Sequence, residues 1–263
     1  MKKLYFLFLL LITGTVSYGQ IGLGDLLFVS YNSDIGTGGK TFSFITLVDL
    51  PVNTKVSFTD NAWIDDANGF RTGEGTVNWD SGASVIIKGT IIWIEGVDSY
   101  TTSHGTAVVQ VTSPATALNL STSGDQIFAF NTANIPSSSN LSGFITAINM
   151  DGVWVTTGNS SNNTAKPSVF TDGLNSFYLS TERDNAVYNC STIIGTATQL
   201  RAAIYNEVNW NSNDTTLYGT ATCSFTLGIG KDDITGFSLY PNPVKGGKVF
   251  INSANNYAER QTV

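Results

Sequence analysis

The stretch from residue 41 to residue 80, TFSFITLVDLPVNTKVSFTDNAWIDDANGFRTGEGTVNWD, constrains the fold more than any other part of the chain. Side chains alternate across an extended segment. Phe42, Phe44, Thr46 and Val48 therefore share one face, and Ser43, Ile45, Leu47 and Asp49 the other. Both faces are largely apolar, which suits a strand covered on both sides. Pro51 and Asn53 break the run. Residues 55–59 resume it, with Val56 and Phe58 alternating against polar neighbours. A polar loop follows, and Gly73-Glu74-Gly75 leads into a third strand through Val77 and Trp79.

The same pattern recurs on both sides of this stretch. Short β-branched and aromatic runs occupy residues 24–31, 90–95, 105–111, 127–130, 143–150, 177–179, 186–188 and 220–227, separated by Gly, Asn and Ser turns such as Ser123-Gly124-Asp125. Trp93, between Ile92 and Ile94, reads as core. Residues 156–167, rich in Gly, Asn and Ser, read as a surface loop. One segment has helical spacing, residues 198–206, where Leu200, Ala203 and Ile204 share a face and Thr198 can cap. Many short strands and one helix predict an all-β antiparallel sandwich.

The ends differ in character. Lys2 and Lys3 precede an apolar run from Leu4 to Ile12, with small residues Ser17 and Gly19 beyond it. This is the pattern of a signal peptide over residues 1–19, cleaved before Gln20. The apolar run is well short of the ~20 residues a membrane span needs, and no later segment is long and apolar enough. Residues 20–228 form the sandwich, residues 229–236 a polar linker, and residues 237–263 the start of a small β-unit with a rigid turn at Tyr240-Pro241-Asn242-Pro243. An exported chain meets oxidising conditions, so the two cysteines, Cys190 and Cys223, are expected to form a disulfide.

Residues 20–230 carry seven Lys or Arg against seventeen Asp or Glu, a net charge of −10. Nucleic acid and anionic lipid need basic patches and are excluded as expected partners, whereas cations are compatible.

Two resemblances follow. Phe237, Leu239, Tyr240, Pro241, Asn242, Pro243 and the strand Lys248-Val249-Phe250-Ile251 resemble the type A C-terminal sorting domain of type IX secretion, found on exported proteins of the Bacteroidetes. That family continues through further strands to a basic end, so the piece here is expected to be incomplete. The resemblance implies the type IX machinery as a partner and a secreted or cell-surface location. More loosely, Gly24-Asp25-Leu26-Leu27-Phe28-Val29, the strand 42–48, Lys88-Gly89-Thr90-Ile91-Ile92-Trp93-Ile94 and Leu120-Ser121-Thr122-Ser123-Gly124-Asp125-Gln126-Ile127 resemble the lamin-tail-like domain. That resemblance implies an immunoglobulin-like sandwich, an accessory module on exported proteins, and no shared catalytic residues. It covers residues 24–130 and departs at the insertion 60–71 and from residue 143 onward.

Asp60, Asn61, Asp65, Asp66, Asn68 and Glu74 form the densest group of oxygen ligands. Calcium takes six to eight oxygens from a flexible loop, so these are the expected metal ligands, with Asp60, Asp65 and Asp66 converging on the ion. The spacing is not that of an EF-hand, and a solvated turn with Asp and Asn capping their own backbone is the alternative. Asp60 and Glu74 could also serve as glycosidase carboxylates. No G-x-S-x-G occurs around the single histidine, His104, and Gly36 to Thr41 lacks the full P-loop spacing. Trp63 and Trp154 lie next to loops and are the expected stacking residues for an extracellular glycan. These features point to a non-catalytic secreted or surface binding and adhesion module, with a hydrolase of polysaccharide or phosphoester as the alternative.

Overall fold

The computed structural model describes residues 21–34, 40–110, 117–228, 237–245 and 248–253. The leader 1–19, the glycine-rich stretch 36–39 and the linker 229–236 lie outside them. In chain order the first strands are β1 (Leu26–Asn32), β2 (Lys40–Thr46), β3 (Lys55–Thr59), β4 (Trp63–Asp65), β5 (Gly69–Phe70), β6 (Thr76–Asp80), β7 (Ile91–Gly96), β8 (Tyr100–Thr102) and β9 (Thr106–Val109). Then come β10 (Gln126–Asn131), β11 (Phe144–Asn149), β12 (Ser176–Tyr178), β13 (Asn185–Tyr188), β14 (Ile194–Gly195), the helix α1 (Ala197–Ile204), β15 (Trp210–Asn213) and β16 (Thr226–Leu227).

Two six-stranded sheets make the sandwich, ordered β15-β13-β1-β2-β7-β8 and β12-β11-β10-β3-β6-β9. Every pairing within them is antiparallel except that of β11 with β12. The two-sided apolar pattern of the organising stretch is realised: all of β1 and all of β2 but Lys40 are buried. Phe42 and Phe44 point across the sandwich to Phe58 of β3, each with ring centroids 5.0 Å apart, and Phe44 meets Trp79 of β6 at 5.6 Å. On the opposite face the buried hydroxyls of Ser30 and Ser43 bond to each other at 2.5 Å. In β7 the alternation continues, burying Ile92 and Ile94 and leaving Trp93 only half-buried on the other face, so Trp93 is not the core residue its neighbours suggested.

The polar loop expected after Asp60 contains a hairpin, β4–β5. Asp65 closes it: its Oδ1 accepts from the N–H groups of Ala67 and Asn68, both at 2.9 Å, and Gly69 takes the positive φ of 80° that the turn requires. The surface loop expected at 156–167 is half inside. Gly158 N donates to Ile64 O at 2.7 Å and Ala165 N to Trp63 O at 2.9 Å. A Cβ on Gly158 would lie 2.3 Å from Trp63 O, so only glycine allows this approach. Together these segments close a second core cluster of Trp63, Phe128, Phe130, Phe144 and Phe170, with Phe70 against it.

The helix begins earlier than its spacing suggested. Thr196 is the N-cap, and Gln199 completes a capping box with it, so the cap lies two residues before Thr198. Leu200 and Ile204 are its buried face. Just beyond it, the Tyr205 hydroxyl accepts from Phe28 N at 3.0 Å and bonds to Thr146 Oγ1 at 2.5 Å, tying the helix end to β1 and β11.

Cys190 and Cys223 form the expected disulfide, with Cα atoms 5.5 Å apart. It fastens the segment after β13 to the one that carries Phe225, whose ring stacks on Tyr188 at 6.1 Å. Toward the C-terminus, β17 (Phe237–Lys245) and β18 (Lys248–Ser253) form a two-stranded antiparallel sheet. Pro241 and Pro243 do not make the expected turn. They lie within β17, where the pairing jumps from Tyr240↔Phe250 to Lys245↔Lys248. Proline has no N–H for the ladder, so the irregularity falls on the prolines.

Candidate functional site

The six expected metal ligands separate into two groups. Asp65, Asp66 and Asn68 sit at the β4–β5 hairpin. Asp65 Oδ1 serves its own turn and also accepts from Asn68 Nδ2 at 2.7 Å. Asp66 accepts from the Trp63 indole at 3.0 Å and from Ser168 N at 3.2 Å. Asp60, Asn61 and Glu74 gather at the entry to β6. Asn61 Oδ1 accepts from Glu74 N at 3.1 Å, and its Nδ2 donates to Thr59 Oγ1 at 2.8 Å.

Asp60 is 2 % exposed. Its Oδ1 accepts from Gly75 N at 2.6 Å and its Oδ2 from Asn119 N at 2.8 Å, so the carboxylate pins two loops to the end of β3. Gly75 packs so closely on residue 117 that a Cβ would lie 2.0 Å from Ala117 C. Next to Asp60 stand two residues that the sequence reading did not place in a site, Asp125 and Gln126. Asp125 Oδ2 accepts from Ser121 N at 2.8 Å, and its Oδ1 from Gln126 N at 2.8 Å. The fully buried Gln126 donates from Nε2 to Asp60 O, to Asp125 Oδ1 at 3.0 Å and to Ser161 O at 2.8 Å. The register of β10 on β3, with Phe128 opposite Thr59, brings Asp125 and Gln126 beside Asp60. The readable signal was two adjacent polar residues at the mouth of an apolar strand, where an unpartnered polar group would be costly.

Burial raises all three carboxyls, and the Asp60 charge adds to the rise at Glu74 and Asp125. Burial pushes Asp60 up to about 6, against lowering by the Asn119 and Gly75 N–H groups. Burial and then the Asp60 charge push Glu74 up to about 7, against lowering by the Ser161 hydroxyl, the Ala62 N–H and the Arg71 charge. Burial and the same Asp60 charge hold Asp125 well above the usual carboxylate range, and Glu74 adds to this. Two oxygens in this group, Glu74 Oε2 and Gln126 Oε1, are buried without a hydrogen-bond donor from the protein. Among the described residues, no three His, Cys, Asp or Glu side chains are grouped so as to hold a metal ion by themselves.

The two expected stacking residues have different fates. Trp63 is 0 % exposed, its ring edge-on to Phe70 and Phe144, so it offers no face to a ligand. The loop 156–167 covers it, which its place beside a polar stretch did not reveal. Trp154 is half-buried at the rim of the second core cluster, and its indole N–H donates to Asp172 Oδ1 at 3.0 Å. Lys166 and Ser176 hold the same carboxylate, at 2.6 Å each. Asp172 in turn lines an open groove of about 470 Å³ with Phe177, Tyr178, Ser180, Tyr205 and Glu207. A second open groove, of about 600 Å³, lies between residues 81–90 and His104. His104 is exposed and bonds to the adjacent Ser103 hydroxyl at 3.1 Å.

No protein-family model matches the chain, and neither a curated protein nor a solved structure matches it. No helix among the described residues is long and apolar enough to cross a membrane.

Proposed function

We propose that this chain is a secreted or cell-surface binding and adhesion module, carried out by type IX secretion, with an extracellular glycan as its ligand. The observation that carries the reading is the open groove lined by Asp172, whose carboxylate also holds the half-buried Trp154 indole. An indole held in place by Asp172 is a rigid, amphipathic surface that loses little entropy when a sugar ring stacks on it. Asp172, Tyr178 and Glu207 supply hydrogen-bonding groups along the same groove. The disulfide supports an oxidising compartment, and the resemblance of residues 237–251 to a sorting domain supports the export route. The lamin-tail resemblance of residues 24–130 supports an accessory role.

The hydrolase reading draws on Glu74, raised to about 7 beside Asp60, since paired carboxyls of unequal pKa carry acid–base chemistry. Asp60 weighs against it. Both its oxygens accept main-chain N–H groups and it is almost fully buried, whereas a glycosidase pair faces substrate across a cleft.

The test is affinity electrophoresis of the wild-type protein through gels containing a panel of soluble bacterial and plant polysaccharides. The proposal expects retardation by at least one of them, lost in Trp154→Ala and kept in Trp93→Phe. Equal mobility in every gel removes the glycan ligand.

A further inference from the structure

We propose that residues 217–225 form a strap over the outer face of the sheet that carries β1 and β2, latched by the Cys190–Cys223 disulfide, and that reducing this bond lifts the strap while the sandwich stays folded. The inference is independent of the glycan reading, since it concerns that outer face and not the groove lined by Asp172.

The path of the chain is the starting point. After β15 it turns at Asn213, whose Oδ1 accepts from Thr215 N at 2.8 Å. Tyr218 N then donates to Asn32 Oδ1, at the end of β1, at 2.9 Å. Further on, Phe225 O lies only 2.9 Å from where a Cβ on Gly89 would stand. Gly89 N donates to Thr46 O at 2.7 Å, and Thr46 pairs with Leu26, the first residue of β1. The segment therefore runs from one end of β1 to the other. The face it crosses is polar. Phe42 and Phe44 point into the sandwich, so Thr41 and Ser43 point out of it. The register sets Ser30 beside Ser43, and Asn32 beside both Thr41 and Asn185. None of these outward side chains is more than 8 % exposed, so the face is covered.

The cover is held by little besides the disulfide. Among the described residues no hydrogen bond reaches 219–225. Ala221 is buried, and Phe225 stacks on Tyr188 at 6.1 Å. The next main-chain bond comes at Thr226, whose N–H donates to Ile193 O at 2.8 Å. A segment with so few main-chain bonds lies at the low-stability end of a fold, so a covalent tie within it is its main constraint. Cys190 adds to this. Its φ of 59° lies in the left-handed region, which a residue with a side chain adopts only when its surroundings impose it. The polar floor acts in the same direction. An apolar floor would resist water, whereas the hydroxyls of Ser30 and Ser43 exchange their mutual bond for bonds to water. Asn185 Nδ2 is buried without an acceptor and gains one on opening. The chemical step is thiol–disulfide exchange: a thiol reductant supplies two electrons and two protons, leaving thiols at Cys190 and Cys223 and becoming a disulfide itself. Opening uncovers a row that runs from Ser30 through Ser43 to the half-buried Trp93.

The experiment is limited proteolysis of the full chain with chymotrypsin, which cuts after Leu, Tyr and Phe. Oxidised protein is compared with protein reduced by dithiothreitol and alkylated, and the cuts are mapped by mass spectrometry. Cleavage follows the population of the open form, so cuts after Leu217, Tyr218 and Phe225 should appear at least ~10-fold faster in the reduced protein. Phe42, Phe58 and Phe128, inside the sandwich, should stay uncut in both. Reoxidation of unalkylated protein should restore protection. Cys190→Ser/Cys223→Ser should match reduced wild type, which shows that the alkyl groups do not pry the strap open. Reduced Ser30→Ala/Ser43→Ala should be cut more slowly than reduced wild type, because an apolar floor holds the strap down. Equal rates in oxidised and reduced protein would overturn the latch. Cuts after Phe42 and Phe58 that keep pace with those in the strap would show that the bond holds the whole sandwich, and overturn it too. A floor variant cut as fast as wild type would mean that the strap does not rest on Ser30 and Ser43, and would overturn the cover.

Discussion

The main-chain N–H of Trp63 donates to the hydroxyl of Thr164 at 2.8 Å, across 101 residues of sequence. This bond closes the loop 156–167 over the second aromatic cluster, and both residues are buried. Thr164→Val keeps the shape and leaves the Trp63 N–H without a partner, a loss of about 1–3 kcal/mol. The melting midpoint should fall by roughly 2–4 °C for each kcal/mol in a chain of this size. Thr164→Ser keeps the hydroxyl and should melt close to wild type. Equal melting of the valine and serine variants would show that the loop is held by packing alone.

Phe58 joins the two sheets, with Phe28, Phe42 and Phe44 all against its ring. Phe58→Ala should destabilise by about 3–5 kcal/mol, the range for a large aromatic replaced in a closed core. Val108→Ala, on an exposed position of β9, should stay within about 0.5 kcal/mol. Denaturant midpoints of the two variants measure the contrast directly.

The disulfide closes a loop of 33 residues. Replacing both cysteines by serine should cost about 3–4 kcal/mol in the chain-entropy account. Native, unreduced protein should carry no thiol that labels at Cys190 or Cys223. Labelling at both positions before reduction would contradict the bond.

The fold's main layer was readable because its signal is local. The alternation in residues 42–46 is complete on both faces, and the structure buries both. The helix was readable from Leu200 and Ile204, but its start was not. Thr196 and Thr198 can both cap, and Gln199 at the third helical position decides for Thr196. The site was legible only in part, since Asp60 and Glu74 stand among the oxygen-rich residues whereas Asp125 and Gln126 reach them through the pairing of β10 with β3. No local pattern encodes that register. Trp63 was misplaced for a related reason: the segment that buries it is 101 residues away.

Without divalent cations, stability should decline as pH rises. Asp60 and Glu74 lie at about 6 and about 7 in the folded chain, above their ordinary values of 3.8 and 4.5. The folded state therefore holds protons that the unfolded state has lost. That extra stability is present below pH ~4 and fades as pH rises through ~6–7. Asp125, raised by burial and by Asp60, acts in the same direction. Chelator-treated protein should melt at a higher temperature near pH 5 than near pH 8, and Glu74→Gln should flatten the difference. A midpoint that rises across this window would contradict the coupling of the three carboxyls.

The central claim is that the sandwich holds a glycan and does not cut it. The most direct measurement follows one mixture of protein and a retained polysaccharide over a day, scoring bound polysaccharide by co-sedimentation and new reducing ends by colorimetry. The account predicts a constant bound fraction, abolished in Trp154→Ala, with reducing ends at the level of the protein-free control. Reducing ends that accumulate in wild type and disappear in Glu74→Gln would contradict it and make the chain a hydrolase.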